Sequence, residues 1–345
     1  MPAGPNPQLS SVVKEDVSNI MAKCRTKIDS LNGSTVLITG STGFLARELT
    51  ESLLWSNKSG HRIKLVLTSR EPRKVAEVFG DRLGPEVDVI FTEEMDQYPA
   101  RIDYIVHAAS PCDPRINNAS PSTTIVDIVN LAQKAIMLGL RNKVKNFLLI
   151  SSGAVYGVQP PDLRRIPEGY TGAPDISQRD SGYGEAKRCS ELMVRSSGLP
   201  FTILRGFSFI GPNQDLNSSF AVPEFISSGL GENRIVIVGD GRPVRSFCYE
   251  SDLTVMLLKT LAYAEDQTLN AGNDRPELSI KDLADIIAGR IGGVEIEVKG
   301  TVTPGPPPRY VPNIDRMSRI YAPTVNVVTG IERVIRHVLE TRPGH

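Results

Sequence analysis

From Ser34 onward the chain alternates short, β-rich apolar runs with segments whose apolar residues recur at helical spacing, and this alternation most restricts its fold. TVLIT (35–39) is followed at once by GSTGF, and then Leu45, Leu49 and Leu53 fall on one helical face. IKLVLT (63–68), DVIF (88–91), DYIVHAA (103–109) and NFLLISS (146–152) read as further strands, with helical periodicity over 122–140. FTILRGFSF (201–209) reads as a sixth strand. Buried apolar strands separated by helices require a parallel sheet covered on both faces, because each parallel crossover lays a helix on the sheet.

Before this region, Leu9, Val13, Val17, Ile20, Cys24, Ile28 and Leu31 form one apolar stripe on a helix ending at Asn32-Gly33. Such a helix either packs on the domain behind it or makes a coiled-coil-like contact with a second subunit. Residues 1–8, rich in Pro and Gly, are expected to be disordered. The second half is less regular. Residues 211–235 read as loop-rich, RIVIV (234–238) as a strand before the turn GDGRP, and Ser279 with Asp282 as the capped start of a helix. The chain divides into an N-terminal extension (1–33), a core (34–210) and a smaller lobe (211–345) from which some elements return to the core.

Thr39-Gly40-Ser41-Thr42-Gly43-Phe44-Leu45-Ala46 joins the first strand to the first crossover helix. A pyrophosphate there needs backbone N–H groups at a helix N-terminus and no side chain in its way, which Gly40 and Gly43 supply. Ala46 takes the third glycine position, the smallest substitute for tight helix–strand contact. The second strand ends in Ser69-Arg70 without the acid that an NAD site uses for the ribose hydroxyls. Arg70, helped by Arg73 or Lys74, suits a 2′-phosphate, so the cofactor is NAD or NADP, with NADP favoured; the alternative is solvated charge at a helix start.

Tyr183 and Lys187 lie four apart, on one helical face. A tyrosine hydroxyl titrates near 10, too high for a base at neutral pH, and an adjacent ammonium favours the phenolate. Such a tyrosine can exchange a proton with a sugar hydroxyl while a hydride moves to or from nicotinamide. The fifth strand ends in Ser151-Ser152, where a serine can hydrogen-bond the reacting oxygen.

TGSTGFLA, DYIVHAAS, ISSGAVYG and YGEAK, in this order, resemble the extended short-chain dehydrogenase/reductase family, and more narrowly its NAD-dependent epimerase/dehydratase group acting on nucleotide sugars. The resemblance covers roughly 34–340. It implies an α/β fold, a Rossmann-type doubly wound parallel sheet with a smaller α/β substrate lobe, here with an extra N-terminal helix. It assigns Tyr183 as acid/base, Lys187 as its tuning and ribose-binding partner, and Ser152 as the catalytic serine. Gly40, Ser41, Thr42, Gly43, Phe44, Leu45, Ala108, Ala109 and Ser110 would line the cofactor. Arg245 and Arg309 would hold the substrate diphosphate; for each, the alternative is a surface ion pair. Two positions depart from the family pattern. Gly153-Ala154 replaces the acids that dehydratases, and commonly decarboxylases, carry after the catalytic residue. Ser208 stands where the family often has a substrate-touching Asn.

The expected activity is redox at one carbon, C4, of a nucleoside-diphosphate sugar, as epimerase or 4-ketoreductase. Dehydration or decarboxylation ranks lower, and a non-catalytic NAD(P) sensor is the rival from another class. Lys plus Arg and Asp plus Glu each number 39, so the zero formal charge argues against nucleic acid or anionic membrane as partner. No metal site is expected, since Cys24, Cys112, Cys189 and Cys248 are scattered. The same scatter, with no apolar run of membrane-spanning length and no signal-peptide pattern at the start, points to the cytoplasm, and the family resemblance implies a homodimer. His107 reads as structural, Cys189 as core or near-core, and Trp55 as packed.

Overall fold

The computed structural model describes residues 9–111, 113–262, 266–302 and 304–342, except for the side chain at 116. The expected disorder of 1–8, and Cys112 and His345, lie outside the described residues.

Seven parallel strands form the main sheet: β1 (Thr35–Thr39), β2 (Lys64–Ser69), β3 (Val87–Phe91), β4 (Tyr104–His107), β5 (Asn146–Ser152), β6 (Phe201–Gly206) and, out of chain order, β11 (Gln267–Ala271). The order is β11-β6-β5-β4-β1-β2-β3. The chain winds outward from β1 in one direction, then crosses back to β4 and winds the other way. Side chains alternate across the sheet. Val36, Ile38, Leu65 and Leu67 face one core, and Leu37, Val66, Ile105 and Leu149 face the other. The first core is roofed by α1 (Ser11–Ser30), α2 (Phe44–Lys58) and α3 (Pro72–Phe79), together with α8 (Glu250–Leu261). The second lies under α5 (Pro121–Asn142) and α6 (Gly182–Ser196), with the short α4 (Pro114–Ala119) leading into α5. By length and apolarity α5 alone among the described helices could cross a bilayer. Here its Ala132, Ala135, Ile136 and Leu138 are buried.

The smaller lobe has its own core. It is built from α7 (Ala221–Glu232), α9 (Ile280–Ile291) and α11 (Val327–Thr341), with β8 (Arg234–Ile237) paired to β13 (Glu295–Val298). Between the lobe and the sheet lie small strands. β7 (Ser208–Ile210) pairs with β10 (Phe247–Tyr249), and β9 (Val244–Arg245) lies between β12 (Leu278–Ser279) and β14 (Arg309–Tyr310). The helix α10 (Asp315–Ser318) follows β14.

The expected sixth strand over 201–209 is two strands. It leaves the main sheet after Gly206, and β7 joins a different sheet. The stretch read as loop-rich contains α7, whose Val222, Phe225, Ile226 and Gly229 form a buried face. Its Pro, Ser and Gly hide that spacing in sequence. β11 escaped notice because QTLNA has only two apolar residues. Cys189 is exposed rather than core, and Trp55 is 39% exposed at the outer side of α2.

The N-terminal stripe packs on the chain's own core, with Val13, Val17, Ile20, Cys24 and Ile28 buried. Ser10 caps α1 by accepting from the Val13 amide at 3.3 Å. Asp16, fully buried, accepts from the Tyr249 hydroxyl at 2.6 Å and is ion-paired with Arg333 of α11. Burial raises its carboxyl to about 6, against the opposing pull of these two partners.

Candidate active site

The carboxyl ends of β1 and β4, where the winding reverses, open into a crevice, the place where open α/β sheets bind ligands. Thr39 ends β1 and lies opposite His107, the end of β4. The Thr39 Oγ1 accepts from the amides of Ala108 (3.1 Å) and Ala109 (3.0 Å), and it is hydrogen-bonded to His107 Nδ1 at 3.0 Å. Burial, with Lys187 adding to it, pushes His107 down to about 3, so the imidazole is neutral. This is the structural histidine that the sequence suggested. It fixes the loop that carries Ala108, Ala109 and Ser110, and the two alanine amides are committed to Thr39.

Gly40 has φ +67°, and a Cβ there would stand 2.9 Å from the Ala109 backbone, so the position requires glycine on both counts. Its carbonyl accepts from the Gly43 amide at 2.9 Å, and Gly43 is the N-cap of α2. The Ser41 hydroxyl is buried without a partner among the described residues. A buried orphan hydroxyl, an open glycine cradle and free amides at a helix start fit a dinucleotide pyrophosphate. Thr42, Phe44 and Leu45 complete the turn, and Phe44 and Leu45 line the cleft. Arg70 is exposed just past the end of β2, and Ser69 beside it is turned back onto Glu71, its hydroxyl 3.0 Å from both the Glu71 amide and carbonyl.

From there a cleft of about 530 Å³ runs over β5 and β6 into the smaller lobe. Its walls carry Ser152 at the end of β5, Tyr183 at the start of α6, and Ser208, Arg245, Phe207 and Tyr310. Lys187 is buried one turn behind Tyr183. Its Nζ donates to the Ile150 carbonyl at 3.0 Å and lies 5.9 Å from the Tyr183 ring centroid. The Ser152 Oγ accepts from the Ala154 amide at 3.1 Å. Under these groups, Ser151 donates to Glu191 at 2.6 Å, and Glu191 holds Arg205 at 2.6 Å. Ser152 and Tyr183 thus share the cleft, with the Lys187 ammonium behind the phenol, a set of groups that can exchange a proton with an alcohol or ketone.

The three arginines predicted at phosphates separate. Arg245 lines the cleft, its guanidinium carbon 5.5 Å from the Tyr310 ring centroid. Arg309 is not among the cleft-lining residues; it is ion-paired with Glu277, which also holds Arg164 and Arg165, so at Arg309 the ion-pair alternative is what the structure shows. Adjacent strand residues point to opposite sides, so with Tyr310 in the cleft Arg309 is turned away. Tyr310 is the residue that sequence reasoning missed. The two-residue strand β14, paired with β9 in the register Tyr310↔Arg245, is what aims it. Asn117 was missed too. It lines the cleft with its Oδ1 buried and unpartnered among the described residues, and no sequence signal marks it.

Next to the cleft-lining Pro114 and Phe220, Asp113 receives the Ser219 hydroxyl at 2.8 Å, and Arg115 donates to the Asn217 carbonyl. Hydrogen bonding from Arg115, with Ser219 adding to it, holds the Asp113 carboxyl down at about 2. This clasp ties the segment after β4 to the loop before α7. No group of three or more metal-ligating side chains occurs among the described residues.

Residues 36–272 match the model of the NAD dependent epimerase/dehydratase family. The chain is 27% identical over 305 residues to UDP-glucuronic acid decarboxylase 3 of Arabidopsis thaliana, covering 86% of each. Among solved structures it is similar to a UDP-N-acetylglucosamine 4-epimerase from Methanobrevibacter ruminantium M1 in complex with UDP-N-acetylmuramic acid (TM-score 0.78, 20% identity, 90% of this chain and 100% of that one). It is also similar to the UDP-glucuronic acid 4-epimerase of Bacillus cereus in complex with UDP-glucuronic acid and NAD (TM-score 0.75, 21% identity, 89% and 100%).

Proposed function

The chain belongs to the NAD-dependent epimerase/dehydratase family, and from that premise we propose that it carries out NAD(P)-dependent redox chemistry at C4 of a nucleoside-diphosphate sugar, as a 4-epimerase or 4-ketoreductase. The observation that carries this reading is that Ser152 and Tyr183 share one cleft with Phe44, Leu45 and Arg245, with the Lys187 ammonium buried behind Tyr183. NAD(P), when bound, supplies the hydride acceptor or donor. Gly40, Ser41 and Gly43 hold its pyrophosphate, and Lys187 its nicotinamide ribose. NADP preference is supported by Arg70 past β2 and the lack of an acid at 69 or 70.

Tyr183 holds or releases the proton at the sugar O4. The Lys187 ammonium, fixed by the Ile150 carbonyl, favours its phenolate. Ser152 hydrogen-bonds O4 and orients it, and Arg245 binds the diphosphate beside Ser208. Dehydration of a 4-keto sugar needs a carboxyl group to move protons, and at 153–154 there is none. A Cβ at Gly153 would already collide with the Tyr310 hydroxyl and come within 2.9 Å of the Phe207 ring. Decarboxylation is the second reading, favoured by the names of the sequence relatives.

A homodimer is supported by the outer faces of α5 and α6. Val126, Met137, Leu140 and Leu192 are exposed there, 40–65% each. A cytosolic setting is supported by the free thiols Cys24, Cys189 and Cys248.

Purified protein is incubated with NAD and uridine and thymidine diphosphate sugars, including UDP-glucuronic acid, and with NADPH and their 4-keto derivatives, and products are identified by NMR. Inverted or reduced C4 is expected, and carbon dioxide release would establish the second reading. Tyr183→Phe is expected to lower kcat by about 10²–10⁴ with cofactor affinity retained. Unchanged turnover in that variant overturns the catalytic assignment.

A further inference from the structure

Tyr183 and Lys187 begin a row that continues past the groups the mechanism uses. At the same four-residue step along α6 come Glu191 and Arg195, so the four side chains share one helix face. Each rung after the tyrosine is fastened to a strand. Lys187 donates to the Ile150 carbonyl of β5 at 3.0 Å, and Arg195 donates to the Thr268 hydroxyl of β11. Glu191, buried, reaches two strands at once. Its Oε1 accepts from the Ser151 hydroxyl of β5 at 2.6 Å and from Arg205 Nε of β6 at 2.9 Å, and its Oε2 accepts from Arg205 Nη2 at 2.6 Å. Ser151 and Arg205 are direct partners across β5 and β6, so the carboxylate straddles one row of the sheet. Arg205 is held elsewhere as well: its Nη1 donates to the Glu168 carbonyl at 3.3 Å, and its guanidinium carbon lies 4.7 Å from the Tyr156 ring centroid.

This row adjoins both reacting groups. Ser152, whose side chain lines the cleft, is the residue after Ser151, and Tyr183 lies about two turns before Glu191 on the same helix. Apolar contacts between a helix and a sheet have no direction and leave the helix free to slide or roll by small amounts. A bidentate carboxylate–guanidinium pair admits one geometry. We propose that Glu191 is a positioning residue: it fixes the register of α6 on β5 and β6, and with it the placement of the Tyr183 phenol relative to the Ser152 hydroxyl. A buried ion pair adds little net stability over apolar packing of the same volume, so what this one contributes is the geometry it imposes. Glu191 does not line the cleft and acts through Tyr183 and Ser152. The inference rests on the redox reading given under Proposed function, in which both groups serve the same sugar oxygen.

The test reads kcat and KM separately on the purified enzyme with its best nucleotide sugar. Ser151→Ala removes one bond to Glu191 and keeps the ion pair; kcat is expected to fall about fivefold, with KM within about twofold. Glu191→Gln keeps the length of the side chain and leaves Arg205 without its charge partner; kcat is expected to fall about tenfold or more, again with KM within about twofold. Should Glu191→Gln fail to fold, Ser151→Ala decides alone. Added to Tyr183→Phe, neither substitution is expected to cost anything further, because the group being positioned is already gone. A clamp with a structural role only would lower the melting temperature and leave kcat per folded molecule unchanged. A wild-type kcat in Ser151→Ala or in folded Glu191→Gln, or losses that multiply with that of Tyr183→Phe, overturns the proposal and leaves the redox reading standing. A wild type without turnover on any nucleotide sugar overturns the redox reading, and this proposal with it.

Discussion

The turn that fits the cofactor's pyrophosphate comes from one unbroken stretch of chain, 35–58, whereas the wall facing it is assembled from Ser152, Ser208, Arg245 and Tyr310, each on a different strand. The first wall is a strand, a glycine turn and a helix start in sequence order, and its chemistry lies mostly in the backbone. The second consists of side chains carried by strands of two, three and seven residues, and its chemistry depends on which of two neighbouring residues points inward. Binding a phosphate with backbone amides constrains the local sequence tightly. Placing four side chains around a sugar constrains long-range geometry and leaves each local sequence almost unmarked.

That contrast can be broken by substitutions on either wall. The largest effect is expected on the first. Gly40→Val meets both the positive φ and the 2.9 Å approach to Ala109, and strain of about 1–3 kcal/mol predicts cofactor affinity reduced by up to about a hundredfold. Isothermal titration with NAD and NADP measures it, and undiminished affinity would show that the turn is not the pyrophosphate site. On the second wall, Arg245→Ala should raise KM for the nucleotide sugar by about ten- to a hundredfold, since a charge-assisted hydrogen bond is worth about 1.5–3 kcal/mol. Arg309→Ala, one residue from Tyr310, should leave KM within about twofold. Equal effects would mean that the strand register has been misassigned.

A smaller effect sharpens the description of the first wall. Unfolded histidine takes a proton near 6.5, but folded His107 resists it down to about 3. Stability that is complete above pH 6.5 is therefore lost as pH falls below it, by about 1.4 kcal/mol per unit for this group. Denaturation by urea at pH 7 and pH 5.5 should show a steeper loss in wild type than in His107→Gln. The difference between the two proteins isolates His107 from Asp16 and Glu250, whose raised values give the opposite slope, and from His337, whose lowered value gives the same one. Equal slopes would place the proton elsewhere.

The same contrast explains what could be read from the sequence. β1, β2, β4 and β5 fall within two residues of the expected runs, because buried parallel strands are continuous and apolar. The glycine turn and the Tyr183–Lys187 pair were legible for the same local reason. The break at Gly206-Phe207 was not, since FTILRGFSF is apolar through both strands and only the partner strands differ. Arg309 read as a ligand and Tyr310 went unnoticed because charge is conspicuous in sequence and orientation is not. Cys189, read as core or near-core, is exposed because it lies on the open face of α6.

The α1 helix has a mechanical consequence. Its Asp16 grips Tyr249 and Arg333 at once, and its apolar stripe is sunk into the main core. It therefore ties the main sheet to α11 through one buried carboxylate. The contact between Asp113 and Ser219 joins, by comparison, two short surface loops through polar groups alone. The frame of the cleft is thus pinned by a buried charge, and its edge by polar contacts at the surface.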